Sequence, residues 1–312
     1  MNSADILKKP VKKTKLLIIG SRRYKKSTVK SLIEEGKKVF DAVLFVPVHK
    51  IKLIIEKNEV KLFYKEKNLL EFAACYPRLS SKDYYSALPV LKVLENSKVY
   101  CPVNMQNFIV SNHKYFTIRE LAKANIPVVE SSLFISPDSV KEAVDVLGYP
   151  VVIKLISGFA GKGVMLIKDQ KQLESILDTV HLFEDYVSAQ KFIADKQGDV
   201  RCYVIGEKVI AVARQGKASD WRANVSRGGT AHIIEPSLEL TEMVLTAAKL
   251  FAFDICSVDV IEDPSSPTHY SVLEVNFMPG PFTLFLGNII PKEVVQFMYS
   301  KTSAGKQKLK QT

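Results

Sequence analysis

Residues 255–261 read ICSVDVI, and residues 270–276, beyond a hydrophilic stretch, read YSVLEVN. Both runs are short, apolar and rich in β-branched residues, so both read as strands. Each carries oxygen-bearing side chains inside an apolar run: Asp259 in the first, Glu274 and Asn276 in the second. Side chains alternate along a strand, so Glu274 and Asn276 share one face and Val275 takes the other. Three oxygen side chains on neighbouring strands suit a hard cation such as Mg²⁺, which completes its shell with phosphates and water. The competing reading is a buried hydrogen-bond network, although buried carboxylates without a cation or base are rare.

Upstream of this pair lie predicted strands over 200–205 and 208–214, a loop rich in Arg and Gly, and a helix over 240–251. Farther back the pattern gives a helix over 114–124, a break at Ile126-Pro127 and a strand near 128–134. Ser136 is a plausible N-cap for a helix that begins at Pro137 and ends at Gly148. Strands over 151–156 and 164–167 and a helix over 170–180 follow. This mixed order predicts α+β units around a cleft.

The first 104 residues have a different texture. Lys15–Gly20 and 41–47 read as strands, 28–39 and 84–94 as helices, and 51–64 as a hairpin turning at Lys57-Asn58. Residues 101–104 read as a short extended piece. Alternating strands and helices predict a small α/β unit with a parallel sheet. SRRYKK follows Gly20 where a dinucleotide fold would carry GxGxxG, so that function is disfavoured.

A chain of 312 residues is long enough for two or three compact units, and 47% apolar composition supplies their cores. Basic residues outnumber acidic ones 44 to 33, giving +11. That excess fits a polyanionic ligand, a nucleotide or nucleic acid, or simply a solvated surface. No aromatic-basic motif supports nucleic acid. Cys75, Cys101, Cys202 and Cys256 have no metal-ligand spacing, which disfavours zinc or a disulfide framework and fits a reducing cytoplasm. No signal-peptide pattern follows Met1. The longest uncharged run, 275–291, holds three prolines and two glycines, so no membrane span is expected.

Two further motifs bear on chemistry. SGFAGKG at 157–163 joins two apolar strands, and its Gly158, Gly161 and Gly163 let backbone N–H groups approach an anion. A plain hairpin turn has the same composition, and GxxxxGK[ST] is absent. Lys154 sits inside the strand before this loop, where a lysine needs an anionic partner. The other motif is paired spacing: Asp199 with Arg201, and Arg222 with Asn224, with Arg227 before Gly228-Gly229 and Arg214 ending a strand. Guanidinium groups grip phosphates and carboxylates in bidentate fashion, though a lone arginine is commonly a surface residue. The five histidines are dispersed and form no catalytic pattern.

NHKYFTIRELAKANIPVVES, GYPVVIKLISGFAGKGV, LFEDYV, GDVRCYVIGEKVIAVARQ, DWRANVSRGG and SVDVI…VLEVNFMPG follow one another from Asn112 to about Gly280. In this order they resemble the RimK-like branch of the ATP-grasp superfamily. The preceding α/β unit resembles the domain that comes before ATP-grasp there, most closely in PRLSSKDYYSALPVLKVLEN. The resemblance implies an N-terminal domain over 1–104, a central lid domain over 105–185, a C-terminal domain with the metal site over 186–300, and a basic flexible tail over 301–312. It implies an ATP-dependent carboxylate–amine ligase that works through an acyl phosphate, with glutamate or another amino acid as substrate.

By the same resemblance Lys114 and Lys154 contact the ATP phosphates, and the glycine loop closes over them. Glu184, Asp185, Tyr186 and Val187 form the hinge beside adenine, with Asp185 near the ribose. Asp199, Arg201 and Asn224 also line the nucleotide site. Asp259, Glu274 and Asn276 hold magnesium, with manganese as an alternative. Arg222 and Arg214 stabilise the transferring phosphoryl group, while Arg227 and Arg201 are candidates for the acyl phosphate and the substrate carboxylate. Partners would be ATP and a small-molecule or peptide carboxylate and amine, with no membrane; a homo-oligomer stays open. Two departures stand out: His113 where an acid is usual, and the basic Lys162 in the flap. A phosphotransferase and a non-catalytic ATP-binding module are the rival functions.

Overall fold

The computed structural model describes residues 14–22, 24, 26–134, 137–155, 163–181, 187–194, 198–216, 229–280, 286–303 and 306–307. They divide into two units. One draws on Met1–Leu79, Tyr85–Cys101 and Pro291–Thr312, the other on Ser80–Tyr84 and Pro102–Ile290.

The first unit contains strands β1 (Lys15–Gly20), β2 (Ala42–Pro47), β3 (Lys52–Glu56), β4 (Glu59–Tyr64), β5 (Lys67–Asn68) and β6 (Ala74–Arg78), with helix α1 (Lys26–Lys37) and most of α2 (Tyr84–Glu95). β1 is the middle of a parallel sheet, with β2 on one side and β6 on the other. Leu16, Leu17, Ile18 and Ile19 are buried, as a continuous apolar run requires in a sheet covered on both faces. β3, β4 and β5 form a separate antiparallel sheet. Lys57 and Asn58 both have positive φ (49° and 68°), the backbone of a tight two-residue hairpin turn. The sequence pattern missed β6, because Pro77 interrupts it. The strand tolerates that proline at the edge of the three-stranded ladder.

The helix Ile289–Ser300 begins inside the uncharged run and carries Pro291 in its first turn, where a missing N–H costs nothing. Its Phe297 and Tyr299 rings meet Tyr100 and Phe40 edge to face, at 6.5 and 5.4 Å between centroids. Residues from Pro291 onward therefore group with the N-terminal unit, not with the 186–300 stretch to which the sequence reading assigned them up to Ser300.

The second unit starts with α3 (Met105–Ser111) and α4 (Lys114–Lys123). Asn104, expected to be extended, caps α3 through its side-chain oxygen, which accepts from the Asn107 amide at 2.7 Å. Then come β7 (Ser131–Phe134), α5 (Pro137–Leu147), β8 (Val151–Leu155), β9 (Val164–Ile167), α6 (Gln170–His181) and β10 (Val187–Lys191). The four strands form an antiparallel sheet in the order β7-β10-β8-β9. Val140 and Val144 of α5 and Leu173 and Leu177 of α6 pack with Val151, Ile153, Val187 and Ala189 in one core. β11 (Asp199–Ile205), β12 (Lys208–Gln215), β13 (Thr230–Ile234), α7 (Leu238–Leu250), β14 (Ile255–Glu262) and β15 (Tyr270–Asn276) complete the unit. Their strands make a second antiparallel sheet, β13-β12-β11-β14-β15. Backbone bonds from Val129 to Val272 and from Val272 to Pro127 tie the segment entering β7 to β15. No helix among the described residues is long and apolar enough to cross a membrane.

Gly198 shows how tightly the start of β11 meets β12. Its φ is +94°, and a Cβ there would lie 2.0 Å from the Arg214 carbonyl oxygen. Gly148 also has positive φ (+76°) but faces open space. Gly198→Ala should cost about 3 kcal/mol from combined strain and clash and lower the Tm by about 6–12 °C. Gly148→Ala should cost only about 1 kcal/mol, the left-handed penalty alone. Thermal melts of the two variants check the order, and equal melting points would refute it.

Candidate active site

β11 and β14 run antiparallel, with Arg201 directly opposite Asp259. β11 and β12 run antiparallel, with Asp199 directly opposite Arg214. Since side chains alternate, Asp199 and Arg201 face the same way, and so do their partners. The result is a row of four charges on one sheet face. Arg201 grips Asp259 through Nε to Oδ1 at 2.7 Å and Nη2 to Oδ2 at 2.6 Å. Arg214 grips Asp199 through Nε to Oδ1 at 2.6 Å and Nη2 to Oδ2 at 2.7 Å. Arg214 Nη2 also donates to Asp259 Oδ2 at 3.0 Å and so links the two pairs. Arg201 Nη1 donates to the Gly280 carbonyl.

Burial alone would raise the Asp259 carboxyl, but the Arg201 and Arg214 charges outweigh it and hold the group well below the usual carboxylate range. Burial wins at Asp199, whose carboxyl is raised despite Arg214. The four groups sum to zero charge, which is the condition for leaving ions in a poorly hydrated place.

β15 borders β14 on the other side, with Glu274 opposite Asp259 and Asn276 opposite Ser257. Pairing shifts between Asp259 and Val260, a bulge of the kind that re-aims side chains beside functional sites. Asp259, Glu274 and Asn276 therefore lie side by side. Among the described residues Glu274 accepts no hydrogen bond. Among the described residues the Asn276 side-chain nitrogen and the Ser257 hydroxyl are buried without a partner. No group of three or more His, Cys, Asp or Glu side chains gathers among the described residues. Two carboxylates and an amide are a sparse set, suited to Mg²⁺, which keeps waters and draws its remaining oxygens from phosphates. These residues fit such an ion bound together with a nucleotide.

Lys154 projects from β8 in the other sheet of the unit. Its ammonium donates to Gln190 Oε1 at 2.5 Å, and Gln190 Nε2 donates to Ser131 Oγ at 3.0 Å. A polar chain thus crosses β8, β10 and β7. Burial lowers the Lys154 pKa to about 8, with Lys114 pushing the same way and Glu274, Asp259 and Asp199 opposing. Those charges put Lys154 and Lys114 in the neighbourhood of the carboxylates. An anion bound beside this ammonium would favour its charged form further. Gln190 was not singled out from the sequence. A glutamine in VSAQK carries no signal until the strand is seen lying beside Lys154.

Other predicted residues are distributed as follows. Lys114 opens α4, which packs on β15 and β7. Val187 is a buried residue of β10, paired in the sheet with both Phe134 and Leu155. Gly163 has φ +74° and hands its carbonyl to the Leu155 amide at 2.8 Å, closing the base of the loop. Gly158, Gly161, Glu184, Asp185, Tyr186, Arg222, Asn224 and Arg227 lie outside the described residues.

The family description "RimK-like ATP-grasp domain" matches residues 111–288. A probable alpha-L-glutamate ligase of Marinobacter nauticus is 32% identical over 270 residues, spanning 85% of this chain and 88% of that protein. The solved ATP-grasp ligase PsnB, complexed with a minimal precursor, superposes with a TM-score of 0.72 at 20% identity, over 93% of this chain and all of that one (100%). D-alanine–D-alanine ligase from Bacillus anthracis, complexed with ATP, gives 0.66 at 18% identity, over 95% and 99% of the two chains. At these identities the structural likeness establishes the ATP-grasp fold, while the sequence matches establish kinship. The chain belongs to the RimK-like ATP-grasp family, and is an ATP-dependent ligase joining a carboxylate to an amine.

Proposed function

We propose that this enzyme activates the carboxylate of glutamate, or of a glutamate-like amino acid or peptide, as an acyl phosphate and transfers the acyl group to an amine. The juxtaposition of Asp259 and Glu274, within electrostatic reach of Lys154, whose charge Lys114 also feels, is the observation that carries the reading. The names of the curated relatives supply glutamate as the substrate to test first.

In this reading Lys154 and Lys114 bind the phosphates of ATP. Gln190 is a positioning residue that aims the Lys154 ammonium. Asp259, Glu274 and Asn276 hold the metal, Mg²⁺ or Mn²⁺, whose contribution is to neutralise charge on the phosphate oxygens. Asp259 serves while keeping its arginine partners, because each carboxylate oxygen has two lone pairs and Oδ1 accepts only one hydrogen bond. Arg201 is the rigid member, its donors spread over Asp259 and Gly280. Among the described residues Arg214 Nη1 has no acceptor, which suits it to the transferring phosphoryl group. Arg222 and Arg227 share the tasks of holding that group and the substrate carboxylate. Asp199 keeps Arg214 aimed, and Asn224 contacts ATP. Gly158, Gly161 and Gly163 close over the phosphates. Glu184, Asp185 and Tyr186 lie beside adenine, with Val187 anchoring them to the sheet. A carboxylate nucleophile is ionised at neutral pH and needs no general base, which agrees with the absence of an obvious one among the motifs.

Glu274→Gln should lower ligase turnover by on the order of 10²–10³-fold while leaving the thermal melt in place. Wild-type turnover across a magnesium titration would refute the metal assignment. Lys154→Ala should cost about 2–4 kcal/mol in ATP binding or turnover, and Gln190→Leu a smaller part of that. Since Lys154 is a cation below about pH 8 in the free enzyme, kcat/KM for ATP should fall as the pH rises through that value. Gln190→Leu should move this limb to lower pH, because it removes an acceptor from the charged form. The reaction class is tested by incubating the enzyme with ATP, magnesium, glutamate and hydroxylamine. A hydroxamate should form together with ADP. ADP accompanied by a stable phosphoester would show a phosphotransferase instead.

A further inference from the structure

β3 lies at the edge of the sheet β3-β4-β5 and pairs only with β4 among the described residues. All five of its residues, KLIIE, are exposed. Ile55 is 72% exposed, Ile54 41% and Leu53 37%, and Val60 beside them on β4 is 39% exposed. An edge of this kind offers a row of backbone donors and acceptors between apolar side chains, and it is a template for another strand.

The order of residues selects the strand it fits. Turned antiparallel about Ile54, Lys-Leu-Ile-Ile-Glu is complementary to itself: Lys52 meets the second copy's Glu56, Leu53 meets its Ile55, and Ile54 meets Ile54. The register within the sheet sorts these contacts by face. Leu53 and Ile55 stand beside Leu62 and Val60 on one face, and Lys52, Ile54 and Glu56 stand on the other. Self-pairing therefore extends an apolar row on one face and places an ion pair at each end of the other. Glu56 already has Lys61 of its own copy at 3.1 Å, and a carboxylate accepts from two lysines. A parallel in-register pairing would set Lys52 on Lys52 and Glu56 on Glu56. A one-residue slip would carry Leu53 and Ile55 off the apolar row. Charge and face thus specify a single register.

We propose that the chain forms a two-fold symmetric dimer by antiparallel pairing of β3 with β3 of a second copy. The two three-stranded sheets become one continuous sheet. The contact is isologous, so it closes at two copies and leaves no further edge of the same kind. Five residues per copy make a small interface, so the dimer is weak and its population follows concentration.

Sedimentation velocity over a concentration series up to about 1 mM reads the equilibrium directly. The wild-type chain should pass from monomer to dimer. Lys52→Glu and Glu56→Lys each set like charges opposite at both ends, and each should raise the dissociation constant on the order of tenfold. The double variant K52E/E56K restores both pairs in reversed polarity and should return the constant to the wild-type value. A general structural lesion would not be rescued this way. A chain that stays monomeric throughout overturns the proposal. So does an oligomer insensitive to the single substitutions, or a double variant as weak as either single one.

Discussion

Arg201 and Asp259 face each other across two antiparallel strands, and the row of buried charges in the second unit is arranged around that one ion pair. It fixes where the Asp259 carboxylate points. The neighbouring Arg214–Asp199 pair fixes the direction of the arginine that bridges to it. Neither pair is retained for stability alone. Withdrawing four charges from water is expensive, and well-packed apolar residues of similar size serve a sheet as well or better. What the ions provide is geometry. Their partners sit directly opposite in the ladder, so strand pairing sets the positions and the forked guanidinium groups set the angles.

Lys154 and Glu274 show the complementary situation. Around the Arg201 pair every charge has been met. Among the described residues the Lys154 ammonium has only a neutral glutamine as hydrogen-bond partner, and the Glu274 carboxylate accepts no hydrogen bond. An apo site that satisfied these groups internally would have to break those bonds on every turnover. Groups kept short of partners are already aimed, so under the proposed function a bound phosphate and cation would complete the site without dismantling it. The cost is borne by the fold around them: the core between α5, α6 and β8, and the bulge that sets Glu274 beside Asp259.

Much of this was legible in the sequence, and what was not had physical reasons. β15 was read with its observed bounds, as was β9, and β14 to within a residue, because short apolar runs stand out from the polar residues before them. The hairpin turn at Lys57-Asn58 was equally clear, since few residues tolerate positive φ. β6 and the helix Ile289–Ser300 were missed because their prolines read as breaks, although one sits at a sheet edge and the other in a first turn. β10 was missed because Ser188 and Gln190 make it look polar. Both are buried, and Gln190 is polar because it serves Lys154. β13 was lost inside a stretch dominated by Arg and Gly, where composition outweighed a weak strand pattern. For the candidate site, types and spacing singled out Asp259, Glu274, Asn276 and Lys154 as the residues to examine. They could not reveal that Arg201 is committed to Asp259, because that depends on register between strands 58 residues apart.

The helix Ile289–Ser300 bears on how the chain is made. Its Phe297 and Tyr299 cover Tyr100 and Phe40, residues made about 200 and about 260 positions earlier. The N-terminal unit therefore cannot finish folding as it emerges. It must wait, with part of its apolar surface uncovered, until the whole of the second unit has been synthesised. At about 5–20 residues per second that wait lasts on the order of ten seconds or more. The order of translation is then not the order of completion: the unit begun first is closed last.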